Sequence, residues 1–246
     1  MTRPRYGDTV PFLTTDQMIE VDRAMMEDYH IELIQMMENA GRHLADLGRE
    51  RFLEGDPTGK QVVVLAGPGG NGGGALVAAR HLQNWGAEVQ VVITRPAKDF
   101  TPVPAHQLDI VNRMRVPVFQ AEDLQNVTRP DLILDGIIGY SLKGTPSGSA
   151  KDFIDWANSR KAPILALDVP SGVDSTTGTA FDPAIHATAT MTLALPKEGL
   201  RGTGVQAHVG ELYLADIGVP ILLYQEALGL LVRPVFAKSD IVRLEL

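Results

Sequence analysis

The chain has 246 residues, and the 44% that are hydrophobic suffice for a sizeable core in one large domain or two small ones. Acidic residues outnumber basic ones by 30 to 22, and the resulting net charge of −8 disfavours a nucleic-acid partner. Cysteine is absent, which excludes disulfides, a thiolate metal site and a thiol nucleophile, and fits a reducing cytoplasm. No apolar run approaches the roughly 18 residues of a membrane span, and the first residues lack the apolar core of a signal peptide. We therefore expect a cytoplasmic protein without a membrane segment.

The N-terminal part predicts two helices. Residues 1–13 are expected to form a loose arm of a single domain that spans residues 1–246. The run T-T-D-Q at 14–17 is a capping-box pattern, which predicts a helix that begins after Thr14 and reaches about Met26. Apolar residues at helical spacing predict a second helix over residues 33–52.

A glycine-rich stretch follows. Residues 62–66 are five apolar residues and predict a buried strand, residues 67–74 read G-P-G-G-N-G-G-G, and a helical period begins at Ala75. Such a turn lets backbone N–H groups approach an anion, and the helix start adds partial positive charge. No Lys-Ser/Thr pair follows, so the turn is not a P-loop. The alternative interpretation is a turn that only lets the strand and the helix pack tightly.

Strands and helices alternate in the rest of the chain. Strands are predicted at 89–93, 116–119, 131–135, 163–168, 188–195 and 211–215, the last clear one, and helices at 105–114 and 152–158. This alternation predicts an α/β protein with a Rossmann-like, doubly wound, mostly parallel sheet and helices on both faces, a three-layer α/β/α architecture.

Three predicted strands end in residues that suit a binding site. One ends in the glycine turn, one in Asp135 and one in Asp168. Ligands of open parallel sheets bind beyond the carboxyl ends of the strands, so we expect these groups to line one cleft with Asn71, Ser171 and Lys143. The alternatives are that each Asp only caps a turn and that Lys143 is a surface lysine. The oxygens of Asn71, Asp135 and Ser171 suit a hard cation better than zinc.

Several motifs, in order along nearly the whole chain, resemble the NAD(P)H-hydrate epimerase family, also called the YjeF N-terminal domain family. They are M-M-E-N-A-G at 36–41, G-P-G-G-N-G-G-G-A-L-V-A-A-R-H-L at 67–82, D-L-I-L-D-G-I-I-G-Y-S-L-K-G at 131–144, L-D-V-P-S-G-V-D at 167–174, T-L-A-L-P-K at 192–197 and G-E-L-Y-L-A-D-I-G-V-P at 210–220.

The resemblance implies an isomerase that interconverts the R and S epimers of hydrated NADH and NADPH. It implies a potassium ion held by Asn71, Asp135 and Ser171, and a separate ATP- or ADP-dependent dehydratase that completes the repair. Asp168 is expected to shuttle the proton of the substrate hydroxyl, with Lys143 supporting charge or position. The implied substrate contacts are Gly70, Asn71, Gly72, Gly73, Gly74, Gly139, Tyr140, Ser141, Leu142, Lys143, Gly144, Thr145 and Asp168.

The glycine turn departs from the family pattern G-x-G-N-N-G-G-D-G. Gly70 stands in place of the first Asn, Gly74 in place of the Asp and Ala75 in place of the last Gly. This departure leaves two alternatives open: a non-catalytic binding or dimerisation module, and an enzyme for another nucleotide or an ADP-ribose-like ligand. The tail at 221–246 is expected to close the core, with a homodimer contact as its other role.

Overall fold

The structure is a computed structural model that describes residues 3–7 and 10–245. The strands are β1 Arg5–Tyr6, β2 Gln61–Ala66, β3 Glu88–Ile93, β4 Val118–Phe119, β5 Leu132–Gly136, β6 Ile164–Leu167, β7 Ala189–Leu193, β8 Glu211–Ala215 and β9 Ile241–Leu244. The helices are α1 Thr15–Glu27, α2 Leu33–Phe52, α3 Gly70–Asn84, α4 Pro102–Arg113, α5 Ser149–Asn158, α6 Gln206–Val209 and α7 Ile221–Leu228.

All the strands named above form one sheet, in the order β1-β9-β8-β7-β6-β5-β2-β3-β4. Neighbouring strands from β8 to β4 in this order run parallel, and β9 pairs antiparallel with β8. The predicted Rossmann-like α/β class is confirmed. Because β2, β5, β6, β7 and β8 are parallel, their carboxyl ends meet at one edge of the sheet.

Helices cover both faces of the sheet. In β2, Val62 and Val64 pack with α2, α3 and α4, whereas Val63 and Leu65 pack with α5 on the opposite face. Successive strand residues point to opposite faces, so a run of apolar residues is buried on both sides. Helices α1 and α7 form a further apolar cluster with β8 and β9. No helix within the described residues is long and apolar enough to cross a membrane.

The N-terminal segment is packed where the structure describes it, so the expectation of a loose arm is wrong for residues 3–7 and 10–13. Strand β1 pairs with β9, and Leu13 is fully buried and bridges to Lys197. Val10 and Leu13 fill the apolar cluster beside α1, which explains why the segment is ordered. The rest of the arm lies outside the described residues. The capping box at Thr14 is present as predicted.

Three helices begin earlier than expected, and one of them, α5, begins at Ser149 rather than residue 152. Helix α3 begins at Gly70 rather than Ala75, so most of the predicted glycine turn is its first turn, where the Gly73 N–H already donates to the Gly69 carbonyl. Helix α4 begins at Pro102 rather than after Pro104. Proline is tolerated in a first turn because the N–H that it lacks has no helical partner there.

The tail contributes α7 and β9, which were not predicted as elements. Leu223 in α7 and Val242 in β9 are fully buried in the cluster with α1, so the tail closes the core as expected. Strand β9 is only four residues long and pairs antiparallel with β8. A run this short has no clear strand signal in the sequence.

Candidate active site

A pocket of about 100 Å³ lies at the carboxyl edge of the sheet, where α1, α2 and α3 meet the ends of β6 and β7. Its wall is largely apolar, with Met18, Met36, Met37, Leu193 and Ile217 among the lining residues. The polar side chains that line it are Asp22, Asn71, Tyr140, Asp168 and Lys197. An apolar pocket with a few convergent polar groups is typical of a small-molecule site.

Asp168 stands at the end of β6 and forms a buried ion pair with Lys197. The Asp168 side chain is 3% exposed and that of Lys197 is 0% exposed. Asp168 Oδ1 accepts hydrogen bonds from Lys197 Nζ, from the Leu193 N–H at 3.2 Å and from Thr192 Oγ1 at 3.3 Å. Asp168 Oδ2 accepts no hydrogen bond from the described residues, so one carboxylate oxygen is anchored and the other remains available to a ligand.

The backbone around Lys197 explains why this lysine is turned inward. Lys197 follows β7 by four residues, after Ala194 with a left-handed φ of 62°. Leu13 binds the backbone on both sides of Lys197. The Leu13 N–H donates to the Pro196 carbonyl at 2.8 Å, and the Leu13 carbonyl accepts from the Glu198 N–H at 2.9 Å. Lys197 Nζ also donates to the Leu193 carbonyl at 2.9 Å.

Asp22 and Tyr140 form a second hydrogen-bonded pair in the pocket. The Tyr140 hydroxyl donates to Asp22 Oδ2, which links helix α1 to the segment after β5. Burial raises the pKa of Asp22, although the Tyr140 hydrogen bond and the charge of Lys197 oppose that shift. Burial and the negative charge of Asp22 raise the pKa of Tyr140. Asp22 Oδ1 makes no hydrogen bond with any residue that the structure describes.

Of the three predicted cation ligands, Asn71 lines the pocket, and Asp135 and Ser171 are hydrogen-bonded to each other. Asp135 is fully buried and accepts from the Ser171 N–H at 2.9 Å, from Ser171 Oγ at 2.6 Å and from the Ile137 N–H at 3.2 Å. Asn71 Nδ2 donates to the Leu167 carbonyl at 2.7 Å, which holds α3 against the end of β6.

The charge of Asp135 has no cationic partner among the described side chains, and burial raises the pKa of Asp135 to about 6. Asn71 Oδ1 is likewise without a hydrogen-bond partner in the described part of the chain. An unpaired buried carboxylate beside amide and hydroxyl oxygens fits a hard cation. In residues 3–7 and 10–245, no group of three or more His, Cys, Asp or Glu side chains could hold a metal ion.

The glycines of the turn serve two purposes. A Cβ on Gly67 would lie 2.0 Å from the Ile137 carbonyl oxygen, one on Gly72 would lie 1.7 Å from the Gly67 oxygen, and one on Gly73 would lie 2.4 Å from Met37 Sδ. At Gly67 and Gly72 the obstructing atoms are backbone oxygens, so close packing alone requires glycine, whereas at Gly73 the flexible Met37 side chain would have to move. Gly70 has open space around it, and Gly70 and Gly74 line the pocket.

The segment from Gly139 to Thr145 reaches the pocket only through Tyr140. Ser141, Lys143, Gly144 and Thr145 are exposed, and Gly139 and Leu142 are half-buried. Lys143 makes no ion pair or hydrogen bond with any described residue and does not line the pocket. The structure thus brings Asn71, Tyr140 and Asp168 together but leaves Lys143 apart from them.

Lys197 and Asp22 were not singled out by the sequence. Lys197 is the first charged residue after buried strand β7, and it ends the motif T-L-A-L-P-K. Asp22 lies four residues after Met18 and follows Val21, both on the buried stripe of α1. A charged residue at each of these positions is the signal that could have identified them.

The protein has a Rossmann-like α/β fold. Its candidate site is a pocket at the carboxyl edge of the sheet, with an apolar wall and a few charged side chains. The family model described as YjeF-related protein N-terminus matches residues 33–199. A NAD(P)H-hydrate epimerase of Dehalogenimonas lykanthroporepellens is 37% identical over 242 residues, which cover 97% of this chain and 94% of that protein. The chain belongs to the YjeF-related N-terminal domain family, as the motifs indicated.

Other relatives agree with this assignment. A NAD(P)H-hydrate epimerase of Rhodopirellula baltica is 31% identical over 88% of both chains. The bifunctional NAD(P)H-hydrate repair enzyme Nnr of Salinibacter ruber is 34% identical over 88% of this chain, which spans 42% of that protein's length. The crystal structure of yeast ynu0 superposes with a TM-score of 0.80 at 26% identity, covering 96% of this chain and 100% of that one.

Proposed function

We propose that the protein is a NAD(P)H-hydrate epimerase, an isomerase that interconverts the R and S epimers of hydrated NADH and NADPH. The observation that carries the proposal is the buried Asp168 carboxylate, which is anchored by Lys197 through one oxygen and lines the pocket with the other available. The names of two relatives that match over most of their length support the same activity.

The reaction exchanges a hydroxyl group between the two faces of a ring carbon. In hydrated NADH this carbon adjoins the ring nitrogen. Protonation of the hydroxyl lets it leave as water, and the nitrogen lone pair stabilises the iminium carbon that remains. Water then adds to either face and gives a proton to a base. The protein must therefore hold and release a proton beside this carbon.

Asp168 is the group that we assign to this proton transfer. Three donors fix Oδ1, so the carboxylate keeps one orientation while Oδ2 meets the ligand. Lys197 holds that orientation and stabilises the negative charge. Lys143, exposed on the segment after β5, is proposed to contact the substrate at the rim of the pocket with Ser141, Leu142, Gly144 and Thr145.

Potassium is the cation that we propose for Asn71, Asp135 and Ser171. When bound, it would neutralise Asp135 and hold the ends of β5 and β6 against the start of α3. The backbone of Gly70 to Gly74 and Gly139 is proposed to bind the phosphates. Gly70 and Gly74, which replace larger family residues, leave the pocket open rather than blocked.

The proposed partners follow from the substrate and the relatives. The bifunctional name of the Salinibacter ruber relative suggests that a dehydratase consumes the product, here as a separate ATP- or ADP-dependent protein. The expected location is the cytoplasm, where NADH and NADPH serve metabolism.

A homodimer is the proposed quaternary state, with Leu222 on α7, 54% exposed, in its contact. Analytical ultracentrifugation that finds a monomer at micromolar concentrations would contradict the homodimer.

A coupled assay tests the proposed function. The R epimer of hydrated NADH is incubated with the protein and an excess of an S-specific dehydratase, in potassium or in a buffer with a tetraalkylammonium salt. The proposal predicts conversion faster than the spontaneous rate, dependent on potassium and reduced at least about 100-fold in Asp168→Asn. No acceleration by folded protein, with the dehydratase shown active on the S epimer, would contradict it.

A further inference from the structure

The pocket contains two carboxylates, and Asp168 accounts for only one of them. Asp22 enters from helix α1, whereas Asp168 enters from the end of strand β6, and both line the pocket of about 100 Å³. Asp22 Oδ2 accepts the Tyr140 hydroxyl, and the other oxygen of Asp22 has no partner among the described residues. Each carboxylate therefore has one oxygen fixed by the protein and one oxygen available to a bound ring.

The two carboxylates stand in different electrostatic surroundings. Lys197 is in direct contact with Asp168 and stabilises its negative charge. Asp22 has no lysine or arginine within ion-pair distance among residues 3–7 and 10–245, and burial raises its pKa, which favours the protonated form relative to an exposed Asp. Two carboxyl groups in such different surroundings, one against a lysine and one without a cationic neighbour at ion-pair distance, are suited to the roles of base and acid in one reaction.

Epimerisation needs proton transfer on both faces of the ring carbon, since the hydroxyl leaves from one face and returns on the other. We propose that Asp22 is a second catalytic residue, which transfers the proton on the face of the substrate opposite to Asp168, with Tyr140 holding its carboxyl group in place. This inference rests on the proposed epimerase function.

The step balances in protons and electrons. Protonated Asp22 gives its proton to the substrate hydroxyl, the carbon–oxygen bond breaks, and one water molecule leaves. The ring nitrogen lone pair forms the carbon–nitrogen double bond. A second water molecule adds to the carbon from the Asp168 side, returns those electrons to nitrogen and gives its proton to Asp168. The reverse reaction uses the two residues with their roles exchanged, as in the paired carboxyls of inverting glycosidases.

Isotope exchange distinguishes this arrangement from a single acid–base group. Purified R and S epimers are incubated in water enriched in oxygen-18, and inversion and label uptake are followed by chromatography and mass spectrometry after subtraction of the spontaneous rates. The unaltered protein should take up at least one labelled oxygen per inversion. In Asp22→Asn, inversion should fall at least about 100-fold. Asp168 should still exchange the hydroxyl on its own face, so label should enter one epimer without inverting it.

The controls separate this role from folding and from the function itself. Glu27→Gln alters an exposed carboxylate on the same helix and should leave both rates unchanged, and urea unfolding should show that Asp22→Asn is folded. Inversion within about threefold of the unaltered protein, or equal loss of inversion and exchange in Asp22→Asn, would overturn the proposal for Asp22. Absence of inversion by the unaltered protein would instead overturn the epimerase function and, with it, this inference.

Discussion

Asp168 has a left-handed backbone with φ of 67° at a position that is 2% exposed. Asp tolerates this conformation better than most residues, but it still costs free energy and persists only where the surroundings over-determine it. Here the fixing contacts are the Lys197 ammonium, the Leu193 N–H and the Thr192 hydroxyl. At the scale of single residues, the site depends on one carboxylate held in one orientation.

The buried ion pair between Lys197 and Asp168 is expected to affect the stability of the fold. Lys197→Met leaves Asp168 as an uncompensated buried charge, so the free energy of unfolding should fall by about 3–5 kcal/mol. Lys143→Met, at an exposed lysine without contacts in the described residues, should change it by less than about 0.5 kcal/mol. Urea unfolding at pH 7 measures both. A Lys197→Met protein as stable as Lys143→Met would contradict the assigned ion pair.

The raised pKa of Asp22 is expected to make the stability of the protein depend on pH. Its pKa in the folded protein lies above its ordinary value of 3.8, so the ionised form costs stability that the neutral form does not. This cost is fully present above the raised pKa and disappears as the pH falls toward 3.8. Asp22→Asn, which keeps an acceptor for Tyr140, should therefore be more stable than the unaltered protein at pH 8, and this gain in stability should shrink as the pH falls toward 3.8.

Urea unfolding of both proteins from pH 8 down to about pH 4 measures this difference. A stability gain in Asp22→Asn that is constant over the whole range, or that grows toward the acidic end, would contradict the raised pKa.

At the scale of elements, the start of helix α3 separates packing glycines from open ones. A Cβ at Gly72 would lie 1.7 Å from the Gly67 oxygen, so Gly72→Ala should lower the free energy of unfolding by more than about 2 kcal/mol. Gly70 has no atom near its Cβ position and no positive φ, so Gly70→Ala should raise stability by about 0.5 kcal/mol. Thermal unfolding compares the two. Equal effects of the two changes would contradict the different roles assigned to these glycines.

Elements with a strong local signal were predictable from the sequence. The bounds of α2, Leu33–Phe52, match the prediction, and strand β8 matches at both ends. The predicted start of helix α3 was too late because four of the five residues at 70–74 are glycines, which have low helix propensity. Strand β9 was missed because its four residues acquire their structure from pairing with β8 and β1 rather than from their own pattern.

The site residues at strand ends could be predicted from the sequence. Those brought to the site by packing between distant segments could not. Asp168 and Asp135 follow strands directly, so sheet topology places them. Lys197 reaches Asp168 only because Leu13, remote in sequence, holds its backbone. Asp22 reaches the pocket only because α1 packs beside it. The residues around Lys197 and Asp22 in the sequence do not indicate these contacts.

At the scale of the whole molecule, the tail completes the apolar cluster that supports α1 and so the Asp22 side of the pocket. Leu223 on α7 is fully buried, whereas the neighbouring Leu222 is 54% exposed. Leu223→Ala should lower the free energy of unfolding by about 2–5 kcal/mol. Leu231→Ala, at a tail leucine that is 83% exposed, is the control and should change it by less than about 0.5 kcal/mol. Urea unfolding that ranks the two variants equally would contradict the packing of the tail.

The most direct test of the central claim follows the two epimers themselves, without a coupling enzyme. Pure R and pure S hydrated NADH are each incubated with the protein in potassium buffer, and the R and S forms are separated by chromatography over time. We expect both samples to reach the same mixture as the uncatalysed reaction, much faster with the protein than without it, and we expect Asp168→Asn to abolish the acceleration. Time courses that match the protein-free control from both starting epimers would contradict the claim.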